Sequence, residues 1–458
     1  MVHLPVKPIK PNTRTEISSL LHLSIPLASA QIAQAATGFV DTVMMGWLGT
    51  DTLAAGGLAT TTFTTLLVMA TGVVVGVSPL VAEAFGSGNN AKIQQVTRQG
   101  FWLSLLLSIP LMILLAHADS LMLQFGQAPS VVSLAKNYLD FIVWGFLPAL
   151  TFSMLKSVLS SLSQVRPITI IVVAGTLLNA VGNYILGFGK LGFPAMGLSG
   201  IAIASVLSQW IMLASLIVYT LKHRELRSFR LFKKLHQIEP KILSEMISIG
   251  APIGISFGFE VGLFSITTYL MGLLGTETLA AHQIVFQTIA VLFMVPLGIS
   301  FATTIRVGWW NGQNNSDGVR RTANISMCLG AIFMTLMAVL LLAFPRPIIS
   351  LYLDINKPEN TKLIPLVTSM LAVAAVSQIL DGVQTTAQGA LRGLKDTQVP
   401  MLLSFAAFWL VGLASGYFLG FHLDLNGVGL WIGQAIGVGT SAGAFIWRLR
   451  RLIVKLES

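Results

Sequence analysis

The sequence is short of charge. Lys, Arg, Asp and Glu together make up only 10% of its 458 residues, against about 25% in an ordinary soluble domain. Cysteine is nearly absent: Cys328 stands alone inside an apolar stretch, which excludes a disulfide framework and a thiolate-ligated metal site. Neither a His-Glu-x-x-His sequence nor a paired-Asp motif occurs, so the chain is not read as an integral-membrane enzyme. No Lys or Arg is expected deep within an apolar segment. What the chain holds instead is hydrophobic residues, at 54% of all positions. Runs such as 61–81, 103–116, 168–186 and 325–344 follow one another with short breaks. A helix needs about 20 such residues to cross the hydrocarbon, so the pattern is that of an all-α, polytopic membrane protein.

The sequence is also written twice. Leu48-Gly49-Thr50-Asp51-Thr52-Leu53-Ala54-Ala55 returns as Leu274-Gly275-Thr276-Glu277-Thr278-Leu279-Ala280-Ala281 at an offset of 226. The same offset carries Pro26 onto Pro252, Gly46 onto Gly272 and Gly86 onto Gly312. An offset of 233 carries Pro167 onto Pro400, and Tyr184-x-Leu186-Gly187-Phe188 onto Tyr417-x-Leu419-Gly420-Phe421. Internal duplication of this kind marks transporters, whose substrate and ion sites lie at the repeat interface near the bilayer midplane. The start of the chain has a signal-peptide-like look, with Lys7, Lys10 and Arg14 before an apolar run and Ala28-Ser29-Ala30 as a possible cleavage site. Because the matching copy at 246–272 cannot be a signal peptide, the first copy is expected to be a true span.

Twelve spans are predicted, six per half: 17–46, 52–83, 95–117, 135–156, 165–189, 197–221, 244–272, 278–307, 322–344, 364–388, 398–421 and 428–448. Of the 28 Lys and Arg, 23 fall at the termini and at the even-numbered connections with their flanking span ends; only Lys136, Lys190, Arg346, Lys357 and Lys362 fall on the other side. By the positive-inside rule both termini are expected in the cytoplasm. Residues 1–221 form the expected N-lobe, 222–241 a basic cytoplasmic linker and 242–458 the C-lobe. Each half has an even number of spans, so the repeats should be parallel, related by a pseudo-two-fold axis along the membrane normal. The net charge of +10 is thereby read as membrane orientation, and no nucleic acid partner is expected.

Three acids fall well inside spans: Asp41, Glu260 and Asp381. A charge at the bilayer centre costs about 2.5–3.5 kcal/mol on insertion scales, so each is expected to face water, hold a proton or hold a cation. Asp41 aligns with Thr267, and Glu260 with Gln34, so the copies diverge where they are charged while keeping glycines and prolines. Gln34 shares a helical face with Asp41, and Gln31 lies on the same span. Asn179 and Asn183, four apart, can offer carbonyl oxygens to a cation or accept from a protonated Asp41, or can simply bond helix to helix. His282 and Gln283 open span 8, with His282 expected to pack structurally. Phe286, Phe293 and Met294, with Met44, Met45 and Trp47, are candidate apolar contacts for a cationic substrate. Kinks are expected at Pro26, Pro252, Pro296 and glycine-rich turns.

Phe39-Val40-Asp41-Thr42-Val43-Met44-Met45-Gly46 resembles the first-helix signature of the multidrug and toxic compound extrusion (MATE) family, in its NorM-like branch. So do Phe259-Glu260-Val261, Ala281-His282-Gln283, Ser377-Gln378-Ile379-Leu380-Asp381 and Gly389-Ala390-Leu391-Arg392-Gly393-Leu394-Lys395-Asp396. The resemblance implies a V-shaped pair of six-helix lobes that exports lipophilic organic cations against inward Na⁺ or H⁺. It makes Glu260 and Asp381 the second-lobe cation site, where Na⁺ could bind, and Asp41 the first-lobe acid, faced by Asn179 and Asn183. Two positions depart from relatives: Asn183 stands where some carry a second acid, and Ser377 where some carry an aromatic; Phe293 keeps the other aromatic position. The expected protein is a multi-pass exporter of a bacterial inner membrane, acting as a monomer without a cofactor beyond its coupling ion. A lipid-linked oligosaccharide flippase of the related exporter superfamily is the alternative.

Overall fold

The computed structural model describes residues 12–355, 357 and 360–457, so Lys7 and Lys10 lie outside the described residues. All regular structure among the described residues is helical. Twelve long helices follow in order: α1 Thr13–Trp47, then α2 Thr50–Gly86, α3 Asn90–Ala116, α4 Pro129–Ser161, α5 Arg166–Gly187, α6 Gly197–Lys222, α7 Pro240–Leu273, α8 Thr276–Gly312, α9 Ser316–Ala343, α10 Leu363–Gly393, α11 Gln398–His422 and α12 Asn426–Glu457. Eleven of these, α2 to α12, are long and apolar enough to cross a membrane. Helix α1 is just as long, at 35 residues, but Gln31, Gln34, Thr37, Asp41 and Thr42 lower its hydropathy. Ala28-Ser29-Ala30 lies inside this unbroken helix. The chain is therefore a multi-pass helical membrane protein.

Each predicted span has a helix, and several helices extend beyond the predicted limits. Helix α4 begins at Pro129, a residue suited to a helix N-terminus, and continues through a tighter turn at Val143–Gly145 to Ser161. Helices α2 and α8 run on to Gly86 and Gly312, and α12 to Glu457. The last turns of α12 gain support from outside: Arg448 pairs with Asp396 at 2.7 Å, and Arg320 with Glu457 at 3.3 Å.

Two compact units emerge: Ser29–Gly254, and Met1–Ala28 together with Ile255–Ser458. In the first, α4 is the central helix, with α2, α3 and α6 against it. In the second, α10 is central, packed by α8, α9 and α12. The start of α1 is bound into this second unit. Glu16, 3% exposed, accepts from Arg306 Nε at 2.9 Å, Arg306 Nη2 at 2.5 Å, Trp310 Nε1 at 3.2 Å and Thr322 Oγ1 at 2.8 Å. Four donors on one carboxylate satisfy a charge that burial alone would disfavour. Within the first unit, the basic segment before α7 is docked along α3 rather than left in solvent. Gln94 Nε2 donates to the Arg230 carbonyl at 3.0 Å, Gln99 Nε2 to that of Gln237 at 3.0 Å and Trp102 Nε1 to that of Leu235 at 2.8 Å, while Arg98 pairs with Glu239.

The duplication is visible in the backbone. Gly49 and Gly275 open α2 and α8 with the same dihedrals, φ 126° and 120°, ψ 163° in both. Gly88 (φ 69°) matches Asn314 (φ 53°) at the 226 offset, and Leu191 (φ 54°) matches Asp424 (φ 53°) at 233. Asn89 and Asn315 both cap the helix that follows, accepting from the Lys92 and Gly318 amides at 3.0 and 2.8 Å. The duplicated Tyr-x-Leu-Gly-Phe overlaps a wide π-helical turn both times, Asn183–Gly187 and Phe418–His422, with Phe188 just after the first and Tyr417 just before the second. Pro26, Pro252 and Pro296 lie inside continuous helices, each removing a backbone donor from the ladder. Pro110 in α3 does the same and was not foreseen.

Open space surrounds a Cβ built at Gly49 or Gly275, so only the backbone resists substitution there. Gly49→Ala and Gly275→Ala should each destabilise the purified protein by about 2 kcal/mol, read as matched drops in thermal midpoint. Unequal losses would show that the two turns are not mechanically equivalent.

Candidate functional site

In the Ser29–Gly254 unit the site is built around Asp41, near the C-terminal end of α1. Its side chain is 7% exposed. Asn183 Nδ2 donates to Asp41 Oδ1 at 2.5 Å, and Ser205 Oγ to Asp41 Oδ2 at 3.4 Å. A second layer steadies these donors. Asn183 Nδ2 also reaches Asn179 Oδ1 at 3.3 Å, and Asn179 Nδ2 donates to Ser205 Oγ at 2.9 Å. Asn179 and Asn183 meet because they stand one turn apart on α5, the second at the onset of its π-helical turn. The Asn183 carbonyl oxygen is buried with no hydrogen-bond partner among the described residues. Asp41 is thus turned into its unit, with a spare acceptor beside it. Ser205 was missed in the sequence because α6 carries several serines and nothing in their spacing singles one out.

Gln34 and Gln31 sit farther back on α1. Both accept from Lys156 Nζ, at 3.4 Å each. This corrects the expectation that no base lies within a span. Lys156 had been assigned to the flank of span 4, but α4 continues past it to Ser161, and its side chain turns toward α1.

In the other unit, Glu260 on α7 and Asp381 on α10 are half-buried and lie within electrostatic reach of each other. Gln378 and Thr385, three before and four after Asp381, are its polar neighbours, with Thr385 Oγ1 donating to Gln384 Oε1 at 3.1 Å. That spacing puts all three on one face of α10, a signal available in the sequence. Aromatic rings pack around the preceding residue of α7: Phe259 lies 5.0 Å from Phe405, and Trp409 Nε1 donates to the Phe259 carbonyl at 3.2 Å. Arg392, 3% exposed in the last turn of α10, lies in electrostatic reach of Glu260, so this acid is not without a base either. Arg392 falls in the connection after predicted span 10, but α10 continues past it to Gly393.

The remaining candidates are scattered. His282 is fully buried, bonded through Nε2 to Thr268 Oγ1 at 3.0 Å and packed against Phe286 and Trp431. Thr267, the counterpart of Asp41, is buried and accepts from Gln434 Nε2 at 3.1 Å. Gln283 is exposed, and Phe293 and Met294 are half-buried. Met45 is buried, whereas Trp47 is largely exposed, with its ring 6.2 Å from Phe188.

Two duplicated helical units with acids held inside them define a transporter-like membrane protein. The comparisons narrow this. The MatE family model matches residues 26–185 and 252–418, one block in each half. The "Probable multidrug resistance protein NorM" of Synechocystis sp. (strain ATCC 27184 / PCC 6803 / Kazusa) is 49% identical over 97% of this chain and 96% of its own length. The protein of the same name from Synechococcus sp. (strain ATCC 27144 / PCC 6301 / SAUG 1402/1) is 47% identical over 96% and 95%. Among solved structures, the outward-facing conformation of a multidrug resistance MATE family transporter of the MOP superfamily superposes with a TM-score of 0.87 at 20% identity. It covers 99% of this chain and 100% of that one. The chain belongs to the MATE family, in its NorM-like branch.

The 2.5 Å contact of Asn183 with Asp41 is much closer than the 3.4 Å contact of Ser205. Asn183→Leu should therefore lower transport by about tenfold and Ser205→Ala by about threefold at most, measured as efflux rates at matched protein density. Equal losses would contradict the ranking.

Proposed function

We propose that this protein is a secondary active exporter that couples efflux of lipophilic organic cations to inward movement of Na⁺ or H⁺. The observation that carries the reading is the placement of Glu260 and Asp381: two carboxylates on different helices, in electrostatic reach of each other, with Gln378 and Thr385 as polar neighbours of the second. Two carboxylates at one place, with amide and hydroxyl oxygens at hand, suit a hard monovalent cation or a shared proton. In one state of the transporter the coupling ion neutralises these carboxylates and drug leaves. In the other the ion departs and the bare carboxylates attract a lipophilic cation. Coupling then needs only that the two ligands favour different states.

Asp41 acts in this scheme as a second, separate acid. Its amide and hydroxyl donors stabilise the ionised form, and the spare Asn183 carbonyl can accept from the protonated one. With both termini in the cytoplasm, as the distribution of Lys and Arg favours, drug would move toward the opposite face of a bacterial inner membrane. The relatives named multidrug resistance proteins favour drug export over the movement of lipid-linked oligosaccharides.

The test is efflux of a fluorescent lipophilic cation from vesicles carrying the purified protein, with Na⁺ and proton gradients imposed separately. One of the two should drive efflux, and Glu260→Gln or Asp381→Asn should abolish it while expression persists. Full gradient-driven transport in both variants would defeat the assignment.

A further inference from the structure

Of the polar residues in the C-terminal half of α10, Gln378, Asp381, Thr385, Gln388 and Arg392 recur at helical spacing, while Gln384 and Thr386 lie off this line and are bonded elsewhere, to Ser441 and to the Gly382 carbonyl. The spacing of three, four, three and four places the five on one face, so a polar stripe leads from Asp381 to the helix end. Its last member is unusual. The Arg392 guanidinium is 3% exposed. Its Nη2 donates to Gln388 Oε1 at 2.6 Å, and its central carbon lies 5.1 Å over the Phe257 ring. Its Nη1 is buried with no hydrogen-bond partner among the described residues. A buried charge with an unused donor is an unfavourable arrangement unless another partner is within reach at some stage of the cycle. Phe257 points to that partner. It stands three residues before Glu260 on α7, hence on the same side of that helix, and Glu260 is the carboxylate in electrostatic reach of the guanidinium.

We propose that Arg392 is the tethered counter-cation of Glu260, pairing with this carboxylate when the coupling ion has left and returning to Gln388 and Phe257 when the ion arrives. The proposal rests on the cation-coupled reading above and adds a competitor that the protein carries within itself. Between departure of the coupling ion and arrival of the lipophilic cation, Glu260 is then held by the guanidinium, while Asp381 stays open to the incoming cargo. The coupling ion must displace a guanidinium that is too firmly attached to diffuse away, which lowers its apparent affinity and speeds its release. Arg392 is a positioning residue in this scheme, since it acts on the ion through Glu260.

The experiment measures efflux by the purified full-length protein in vesicles against the concentration of whichever cation drives the wild type. The readouts are the half-saturating concentration and the maximal rate. Arg392→Gln should lower the half-saturating concentration by about tenfold, because a repelling charge has gone, and should lower the maximal rate as well. Arg392→Lys keeps the charge and should stay within about threefold of wild type in both. Gln388→Leu frees the guanidinium for Glu260 and should shift the half-saturating concentration the other way, upward, by about threefold. A merely structural role predicts weaker or unchanged cation dependence in Arg392→Gln, and either result overturns the proposal. If Arg392→Gln does not fold, the sign of the Gln388→Leu shift decides: no increase overturns it. A wild type that responds to neither cation defeats the coupling reading, and this role with it. A responsive wild type with an unshifted Arg392→Gln defeats the role of Arg392 alone.

Discussion

An ionised carboxylate inside a membrane-spanning bundle must be matched by donors or by a cation, and most features of this protein follow from how that demand is met. Asp41 is met from within its unit by Asn183 and Ser205, held in turn by Asn179. Glu16 is met completely, by four donors, and serves to fix the start of α1. Glu260 and Asp381 are met incompletely: they have each other, a few polar neighbours and a guanidinium nearby that is bonded elsewhere. A fully satisfied charge is structural and stays put. An incompletely satisfied one leaves room for a mobile ion, which is why the chemistry is assigned to the second pair and not to Glu16.

Duplication supplies the frame and divergence supplies the chemistry. The positions that keep their conformation between the halves are turns and caps: Gly49 and Gly275, Gly88 and Asn314, Asn89 and Asn315, and the wide turns at the Tyr-x-Leu-Gly-Phe repeats. These set helix directions, so altering one would shift every side chain beyond it. Side chains facing the interior carry no such burden. Asp41 could therefore give way to Thr267, which accepts from Gln434, and Gln34 to Glu260, without disturbing the frame. The central helix of each unit, α4 and α10, carries a base near its C-terminal end, Lys156 in one and Arg392 in the other. Among the described residues, only the second has a carboxylate in electrostatic reach.

The helices and their order were legible because apolar length and internal repetition are properties of the sequence itself. So were the acids, since a charge in an apolar run stands out against its surroundings. The direction in which a side chain turns was not. Lys156 stands at the last position of predicted span 4 and Arg392 beyond the end of predicted span 10, because an apolar run closes near a basic residue, whereas a helix continues as long as its backbone bonds do; both side chains point inward. Gln283 opens α8 next to buried His282 yet is exposed, a distinction of one helical step that composition does not encode. Ser205 could not be found at all, because it meets Asp41 only through the packing of α6 against α5. Helix α1 shows the reverse case: the polarity that makes it fall short of an apolar span is the polarity of the site it carries.

The central claim is that coupling ion and cargo exclude each other at buried carboxylates. It is tested most directly by equilibrium binding of a fluorescent lipophilic cation to the purified protein, with no gradient, across a range of Na⁺ concentrations and of pH. The account predicts that one of these ions raises the apparent Kd of the probe in a saturable way, and that the effect disappears in Asp381→Asn. Probe binding that is indifferent to both ions, or an ion effect that survives in Asp381→Asn, would contradict it.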